Sequence, residues 1–361
     1  MRYSIDKTKR EPAYVQLYRF LREDIVSGVY GFGTKLPSKR IVAEEVSVSV
    51  ITVEHAYELL CEEGYAEARQ RSGYFVVFRD QDGFASPVGQ PMAFKPDMDV
   101  PAGNGTFPYS VLAKAMRSVL SEQGERILTR SPHNGCEVLR SAIQKYLSRS
   151  RGITAEVGQI VIGSGSEYLY SLLVELLGRN RKYAAEDPSY QKIEQVYRAS
   201  GVKPEMLPLG TDGIDSAALQ NTHATVLHIS PYRSFPSGVS ASASKRHEYV
   251  RWAAKRERYV IEDDFESEFS VSTKPEETIF SLSEKDNVIY MNTFSKTISP
   301  SLRVGYMVLP KHLVPVFEDK LGFYSCTVPT YIQYVLAKLL DEGDFERHIN
   351  RVRRQKRKEL E

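Results

Sequence analysis

A short apolar stretch that runs directly into a polar one with a single lysine constrains this chain most. Val288–Met291 is apolar, and the residues that follow, Asn292–Tyr306, surround Lys296 with serine and threonine hydroxyls. An apolar tetrapeptide followed by such a run is typical of a buried strand that ends at a functional loop. We therefore predict that Lys296 lies at the carboxyl end of a strand in a buried sheet.

Two further features give that lysine a chemical role. A second apolar strand ends in the carboxylates Glu262–Asp264, and Arg303 follows Lys296 by seven residues. A lysine amine, an anion, and cationic or hydroxyl donors suit the aldehyde, the protonated pyridine nitrogen and the phosphate of pyridoxal phosphate. The sequence therefore predicts a pyridoxal phosphate site. The alternative, a solvated surface lysine, accounts for none of the neighbouring features.

Composition and length set the broad class. The chain has 361 residues, 42% of them hydrophobic and 26% charged, with a formal net charge of +2. These values predict a globular protein of two or more domains, with no global sign of nucleic-acid binding. The three cysteines are far apart and lack metal-ligand spacing, which is typical of ordinary thiols in a reducing compartment. We predict a cytoplasmic protein with no metal site, signal peptide or membrane span.

The order of patterns along the chain predicts two domains. Residues 1–77 contain three helical patterns, the second with Ser38 as N-cap, followed by two short strands around a basic turn, which together predict a winged helix-turn-helix. Residues 78–106 lack periodicity and are predicted to be a linker. From 107 to 361, strands and helices alternate, which predicts a doubly wound α/β domain with its ligand at the carboxyl ends of the strands.

The first domain resembles the GntR winged-helix family. The matching residues include Gly33-x-Lys-Leu-Pro-Ser-x-Arg40, Val48-Ser49, Thr52-Val53, Glu63-Gly64-Tyr65 and Ser72-Gly73-Tyr-Phe-Val76. The resemblance implies that the head binds double-stranded DNA through the second and third helices and the wing. The residues that it places at DNA are Lys39, Arg40, Ser49, Thr52, Arg69 and Arg71.

One position departs from that family. The family usually has an arginine directly after the Val-Ser pair, where it can bind a guanine edge, but this chain has Val50. Through Arg79 the head has 12 lysines and arginines against 11 aspartates and glutamates. We therefore expect modest electrostatic attraction to DNA. The alternative for Arg40, Arg69 and Arg71 is a solvated basic surface.

The remainder resembles the large domain of class I aminotransferases, of fold type I, in the version fused to GntR heads in MocR-type regulators. The resemblance covers roughly residues 107–360 and implies that Lys296 forms a Schiff base with pyridoxal phosphate and that Asp263 pairs with the pyridine nitrogen. It places the ring of Tyr190, in Asp187-Pro-Ser-Tyr190, on the cofactor face. The implied phosphate-side residues are Gly165, Ser166, Glu167, Thr293, Ser295 and Arg303.

Several departures bear on activity. Where the family has a tyrosine that can hydrogen-bond the cofactor, this chain has Phe265. The family's Thr-Pro-Ser-His-Gln segment is replaced by Ser230-Pro-Tyr-Arg-Ser234. Lys192 occupies the position of a substrate-binding arginine in a relative. A lysine lacks the planar guanidinium with which arginine binds a carboxylate through two hydrogen bonds. The sequence ends at Glu361, inside a basic helical pattern that leads into a small domain in the family. We therefore expect no sustained transamination from the chain as written.

Three functions remain open on the sequence. The first is a transcriptional regulator, a homodimer whose DNA-binding head is governed by a body that senses an amine, an amino acid or the cofactor itself. The second is an aminotransferase with an appended DNA-binding domain. The third is a degenerate scaffold that binds neither ligand. The head favours the first over the second, and the intact Lys296, Asp263 and Arg303 set counts against the third.

Overall fold

A computed structural model describes residues 3–6, 8, 11–79, 107–255, 257–265, 267–270 and 276–360. The chain divides into two compact units, 1–99 and 100–361, which we call the head and the body. Most of the predicted linker, 80–106, lies outside the described residues. Within the described ranges, no helix is both long enough and apolar enough to cross a bilayer.

The head has three helices followed by a two-stranded antiparallel wing, as the sequence predicted. Its elements are α1 (Ala13–Val26), α2 (Lys39–Val46), α3 (Val50–Glu62), β1 (Ala66–Arg69) and β2 (Gly73–Val76). Ser38 caps α2, its Oγ accepting from the Ile41 amide at 3.4 Å, which confirms the predicted N-cap. Ser47 takes a left-handed conformation (φ 53°) that turns the chain from α2 into α3. Leu17, Leu21, Val53, Tyr57 and Leu60 form the centre of the core.

The body alternates strands and helices. Its helices are α4 (Tyr109–Gln123), α5 (Glu137–Arg151), α6 (Ser166–Leu177), α7 (Gln191–Ala199), α8 (Ser216–Asn221), α9 (Ala243–Ala253), α10 (Ile279–Leu282), α11 (Phe294–Thr297), α12 (Leu313–Leu321), α13 (Thr330–Asp341) and α14 (Asp344–Leu360). Its strands are β3 (Ile160–Gly163), β4 (Tyr183–Asp187), β5 (Glu205–Gly210), β6 (Gly213–Ile214), β7 (Val226–Ile229), β8 (Tyr259–Asp263), β9 (Val288–Thr293) and β10 (Gly305–Val308).

The strands form one mixed sheet in the order β3-β10-β9-β8-β7-β4-β5-β6. Neighbours from β9 to β5 are parallel, whereas β10 is antiparallel to both β3 and β9, and β6 is antiparallel to β5. Since β10 reverses between β3 and β9, those two strands point the same way. The carboxyl ends of β3, β4, β8 and β9 therefore lie along one edge, which we call the ligand edge.

Alternation along the strands explains why helices cover both faces. In β3, Ile160 and Ile162 belong to the core packed against α5 and α13, whereas Val161 belongs to the core packed against α6 and α12. Successive side chains of a strand point to opposite faces, so a strand that is apolar throughout is buried on both. All six residues of β9 are buried, as predicted for the stretch before Lys296.

Candidate functional site

A cavity of about 300 Å³ opens at the ligand edge of the body. Such a volume is at the small end of the range for small-molecule pockets. Eight of the predicted site residues line it, although they are spread along the chain from Ser166 to Arg303. The lining residues are Ser166, Glu167, Tyr170, Tyr190, Lys192, Ile193, Phe235, Asp263, Phe265, Thr293, Ser295, Lys296 and Arg303.

Lys296 reaches this cavity from the short helix α11, directly after buried strand β9. Its Nζ lies 4.5 Å from the ring centroid of Phe265, the phenylalanine that departs from the family's tyrosine. A phenyl ring offers a cation–π contact but no hydroxyl. The lysine amine is thus held beside an apolar ring inside a ligand-sized cavity.

Asp263, the last residue of β8, is buried on the floor of the cavity with two polar neighbours. The Tyr170 hydroxyl donates a hydrogen bond to its Oδ2, and His228 Nε2 lies 3.4 Å from the same oxygen. His228 Nδ1 is 2.7 Å from the Tyr197 hydroxyl. With Tyr197 donating to Nδ1, the ring proton resides on Nε2 and faces the carboxylate. Burial and the charge of Asp263 raise the pKa of Tyr170 well above its usual value, so this hydroxyl remains a donor.

The amino end of α6 forms the opposite wall. Gly165 precedes the helix with φ 91°, and no side chain caps the first turn. A Cβ on Gly165 would lie 3.2 Å from Arg303 Nη2, so glycine allows the guanidinium to approach the backbone. Uncapped amides at a helix start, with an arginine beside them, attract anions.

Glu167 connects two cations across this wall. Its carboxylate accepts hydrogen bonds from Lys192 Nζ and, at 2.8 Å, from Arg303 Nη2. The Lys192 hydrogen bond first, and Arg303 second, hold the pKa of Glu167 below its usual value. Glu167 was predicted on the phosphate side, but as an acceptor between Lys192 and Arg303 it positions these two cations and does not itself donate to an anion.

The two hydroxyls predicted for the phosphate side differ in their contacts. Thr293 caps α11, since its Oγ1 accepts from the Ser295 amide and donates to the Val304 carbonyl, both at 3.1 Å. Ser295 Oγ is buried and has no hydrogen-bond partner among the described residues. A buried hydroxyl without a partner is costly, so Ser295 is the better candidate for a ligand contact.

Aromatic rings form a third wall. Tyr190 begins α7, and its ring meets that of Phe235 edge to face, with centroids 6.2 Å apart and an interplanar angle of 74°. Both rings line the cavity. Tyr190 therefore lines the same cavity as Lys296 and Asp263, and its stacking on a cofactor ring stays a prediction.

Sequence reasoning assigned no role to Tyr170 and His228, which contact Asp263, or to Tyr197, which contacts His228. Tyr170 and Tyr197 lie inside amphipathic helices, where a tyrosine gives no signal beyond packing. His228 did carry one, because it is the only polar residue of the strand Val226–Ile229. A polar residue in a fully buried strand needs a partner.

The segment Ser230–Ser234, which differs from the family's sequence, donates hydrogen bonds to two buried carboxyl groups. Ser234 Oγ donates to Glu186 at 2.7 Å, and the Tyr232 hydroxyl donates to Glu262 at 2.5 Å. Burial raises the pKa of Glu186 to about 7, with the charge of Asp263 adding to the rise. Burial likewise raises the pKa of Glu262 to about 7. Both groups are therefore part of the body's pH dependence.

Replacing Glu186 with glutamine is expected to make the body relatively more stable as the pH rises. A carboxyl whose folded pKa is above its unfolded value stabilises the fold below about pH 4.5 and loses that contribution as the pH approaches 7. The advantage of Glu186→Gln over wild type should grow by about 2–3 kcal/mol from pH 5 to pH 8. Urea unfolding at both pH values measures it, and an equal difference at both would contradict the assignment.

The head presents its predicted DNA residues in two groups. Lys39 forms an ion pair with Glu54, and Arg69 pairs with Glu67 at 2.6 Å while lying 4.4 Å from the Phe75 ring centroid. Arg40 and Arg71 are exposed and have no ion pair with any residue that the structure describes. Among the four predicted DNA cations, those without an ion pair in the described part of the chain are thus Arg40 on α2 and Arg71 in the wing turn.

The two predicted hydroxyls belong to the cap of α3. Ser49 Oγ accepts from the Thr52 amide at 3.1 Å, and the two side-chain oxygens are 2.8 Å apart. These contacts stabilise the first turn of α3 and fix both side chains at the amino end of that helix. Their predicted DNA contacts stay predictions.

Family models match both parts of the chain. Residues 13–76 match "Bacterial regulatory proteins, gntR family", and residues 97–360 match "Aminotransferase class I and II". A winged helix-turn-helix head and a fold-type-I aminotransferase body define a class of protein, the regulators with an aminotransferase-like domain. The chain belongs to this class, the MocR-type transcriptional regulators of the GntR family.

Relatives that match nearly all of this chain are described as regulators. The chain is 33% identical to the HTH-type transcriptional regulator YdeL of Bacillus subtilis, over 98% of this chain and 79% of the relative. It is 27% identical to the "Probable rhizopine catabolism regulatory protein MocR" of Rhizobium meliloti, over 97% and 76%. It is 28% identical to the pyridoxine biosynthesis regulator PdxR of Corynebacterium glutamicum, over 94% and 75%.

Solved structures similar to the body are aminotransferases. LysN of Thermus thermophilus, an alpha-aminoadipate aminotransferase solved with N-(5'-phosphopyridoxyl)-L-leucine, is 28% identical with a TM-score of 0.61. The kynurenine aminotransferase of Pyrococcus horikoshii is 25% identical with a TM-score of 0.63. Each match covers 70% of this chain, which spans 66% of each of those chains. The fold-type-I prediction for the body is confirmed.

Proposed function

We propose that this regulator holds pyridoxal phosphate in the body cavity, bonded through Lys296. The observation that supports it is the meeting of three different chemical groups around one cavity. A lysine amine, the buried carboxylate of Asp263 and the uncapped amino end of α6 all line it. Each group matches a different part of that one cofactor.

The hydrogen-bonding groups that line the cavity are suited to pyridoxal phosphate. Ser295 Oγ is a buried hydroxyl with no partner among the described residues, and Arg303 with the first turn of α6 offers further donors to a phosphate. Asp263 is an acceptor for a protonated ring nitrogen, and Tyr190 with Phe235 supplies an apolar wall for a flat ring. When bound, the cofactor supplies an electrophilic carbon with which primary amines react.

We propose that the effector is an amine, an amino acid or the cofactor itself. Any amine that replaces Lys296 must enter the same cavity, where Lys192 is an exposed cation of the lining that could attract a ligand carboxylate. Lys192 is already paired with Glu167, which weakens its attraction for a second carboxylate. The alternative, an aminotransferase with an appended DNA-binding domain, needs a substrate held in one orientation, and a single lysine does not supply that.

We propose that the chain acts as a homodimer on double-stranded DNA in the cytoplasm. Several large apolar side chains of the body are exposed, including Tyr109 and Leu128 at 82% and Phe323 at 73%. Exposed apolar side chains of this size favour contact with another protein surface, and a second copy is the partner proposed here. Two heads joined through their bodies can bind two half-sites of one operator.

Replacing Arg40 with alanine is expected to weaken DNA binding across sequences and to flatten its salt dependence. Each phosphate contact that is lost makes the slope of log K against log salt less negative by about 0.9. Fluorescence anisotropy of the full chain on one duplex, at several salt concentrations, measures that slope. Arg19→Ala, an exposed arginine on α1 that pairs with Glu11, is the matched control. An unchanged slope for Arg40→Ala would remove this residue from the interface.

A further inference from the structure

The first turn of α3 exposes two consecutive aliphatic side chains. Val50 is 40% exposed and Ile51 is 63% exposed, while Val53 and Ala56 of the same helix are fully buried. Large aliphatic side chains on a surface are favoured where a partner covers them. The pair is therefore a candidate contact surface of the head.

The position of Val50 and Ile51 in the head indicates which partner covers them. Helix α2, the left-handed turn at Ser47 and helix α3 form a helix-turn-helix, and the head belongs to a family of DNA-binding regulators. In this motif the second helix lies in the major groove, and its amino-terminal residues contact base edges. Val50 and Ile51 are the first two residues of that helix.

Three polar side chains near the pair make contacts within the head. The Ser49 and Thr52 side chains contact each other in the helix cap, and Glu54 pairs with Lys39. The first turn, Val50–Val53, is fully described and contains no cation, amide or carboxylate side chain. This turn therefore lacks the side chains that read a guanine or adenine by paired hydrogen bonds.

Phosphate contacts have a separate source. Arg40 on α2 and Arg71 in the wing are exposed and have no ion pair with a described residue. Phosphate contacts hold the head on the duplex without reading the sequence. Within the first turn of α3, the exposed Val50 and Ile51 then offer apolar contact to the bases.

We propose that Val50 and Ile51 read the 5-methyl groups of thymines in the major groove, so that the operator has A·T pairs where the first turn of α3 enters. The thymine methyl is the apolar group on base edges in that groove. This inference rests on the proposed binding of DNA by the head. Removing one buried methyl group weakens binding by about fourfold, the equivalent of about 0.8 kcal/mol.

Deoxyuridine substitution tests the inference directly. Duplexes that the full chain prefers are selected from a random pool, and each thymine of the selected half-site is then replaced singly by deoxyuridine, which lacks only the methyl group. Anisotropy at one salt concentration gives the affinities. We expect about fourfold weaker binding at one or two thymines per half-site. That penalty should be lost in Val50→Ala or Ile51→Ala.

Controls separate this inference from DNA binding itself. Val29→Ala removes an aliphatic side chain of the head that is 48% exposed and lies outside the helix-turn-helix, and it should keep the wild-type deoxyuridine profile. Salt-dependent binding with no deoxyuridine penalty, or with the same penalty in both alanine variants, would overturn the inference alone. Absence of salt-dependent binding to any duplex would overturn DNA binding by the head, and the inference with it.

Discussion

Replacing Lys296 with alanine is expected to abolish the visible absorption band that the wild-type chain acquires when pyridoxal phosphate is added. The band requires a covalent bond between the lysine amine and the cofactor, which an alanine cannot form. Lys296 is exposed within the cavity and follows a buried strand, so its loss removes little packing. Absorption spectra and urea unfolding of both proteins measure the two effects.

The matched control is Lys192→Ala. Lys192 lines the same cavity and is also exposed, but it lies at the start of α7 and pairs with Glu167. Its alanine variant should keep the band. A Lys296→Ala protein with an undiminished band would remove Lys296 from the site, and loss of the band in both variants would show that the assay does not distinguish the two amines.

Replacing Asp263 with asparagine is expected to weaken binding of pyridoxal phosphate by about 10- to 150-fold. A hydrogen bond to a charged group contributes about 1.5–3 kcal/mol, and asparagine removes the charge. The side chain keeps its shape, so Tyr170 still finds an oxygen acceptor. Spectrophotometric titration with the cofactor measures the change in Kd.

Glu186→Gln serves as the control for Asp263→Asn. Glu186 is also a buried carboxyl at the end of a strand on the ligand edge, but its hydrogen bond goes to Ser234 and it does not line the cavity. Its glutamine variant should bind the cofactor with the wild-type Kd. Equal Kd values for wild type and Asp263→Asn would contradict a contact between Asp263 and the cofactor ring.

Much of the site could be predicted because it is built at strand ends. Lys296 and Asp263 each follow an apolar run, and parallel strands bring their carboxyl ends to one edge. Arg303 reaches the same edge because β10 runs antiparallel to β9, and Gly305 pairs with Thr293. That reversal was not predicted, since a periodicity of two gives no strand direction.

Other features depend on contacts between segments that are distant in the chain. His228 and Tyr170 meet at Asp263 from β7 and α6, and no local pattern links them. Lys39 and Arg69 had the residue types of DNA contacts, but each lies beside a glutamate. Charge counts include both members of an ion pair, so they do not show which cations stay available.

Reduction with borohydride followed by peptide mass mapping identifies the lysine that binds pyridoxal phosphate. Wild-type chain is incubated with pyridoxal phosphate, reduced to fix any lysine bond, digested and analysed. We expect one phosphopyridoxyl group per chain on the peptide that contains Lys296, and none there in Lys296→Ala. A label on Lys192, a label spread over surface lysines, or no label would contradict it.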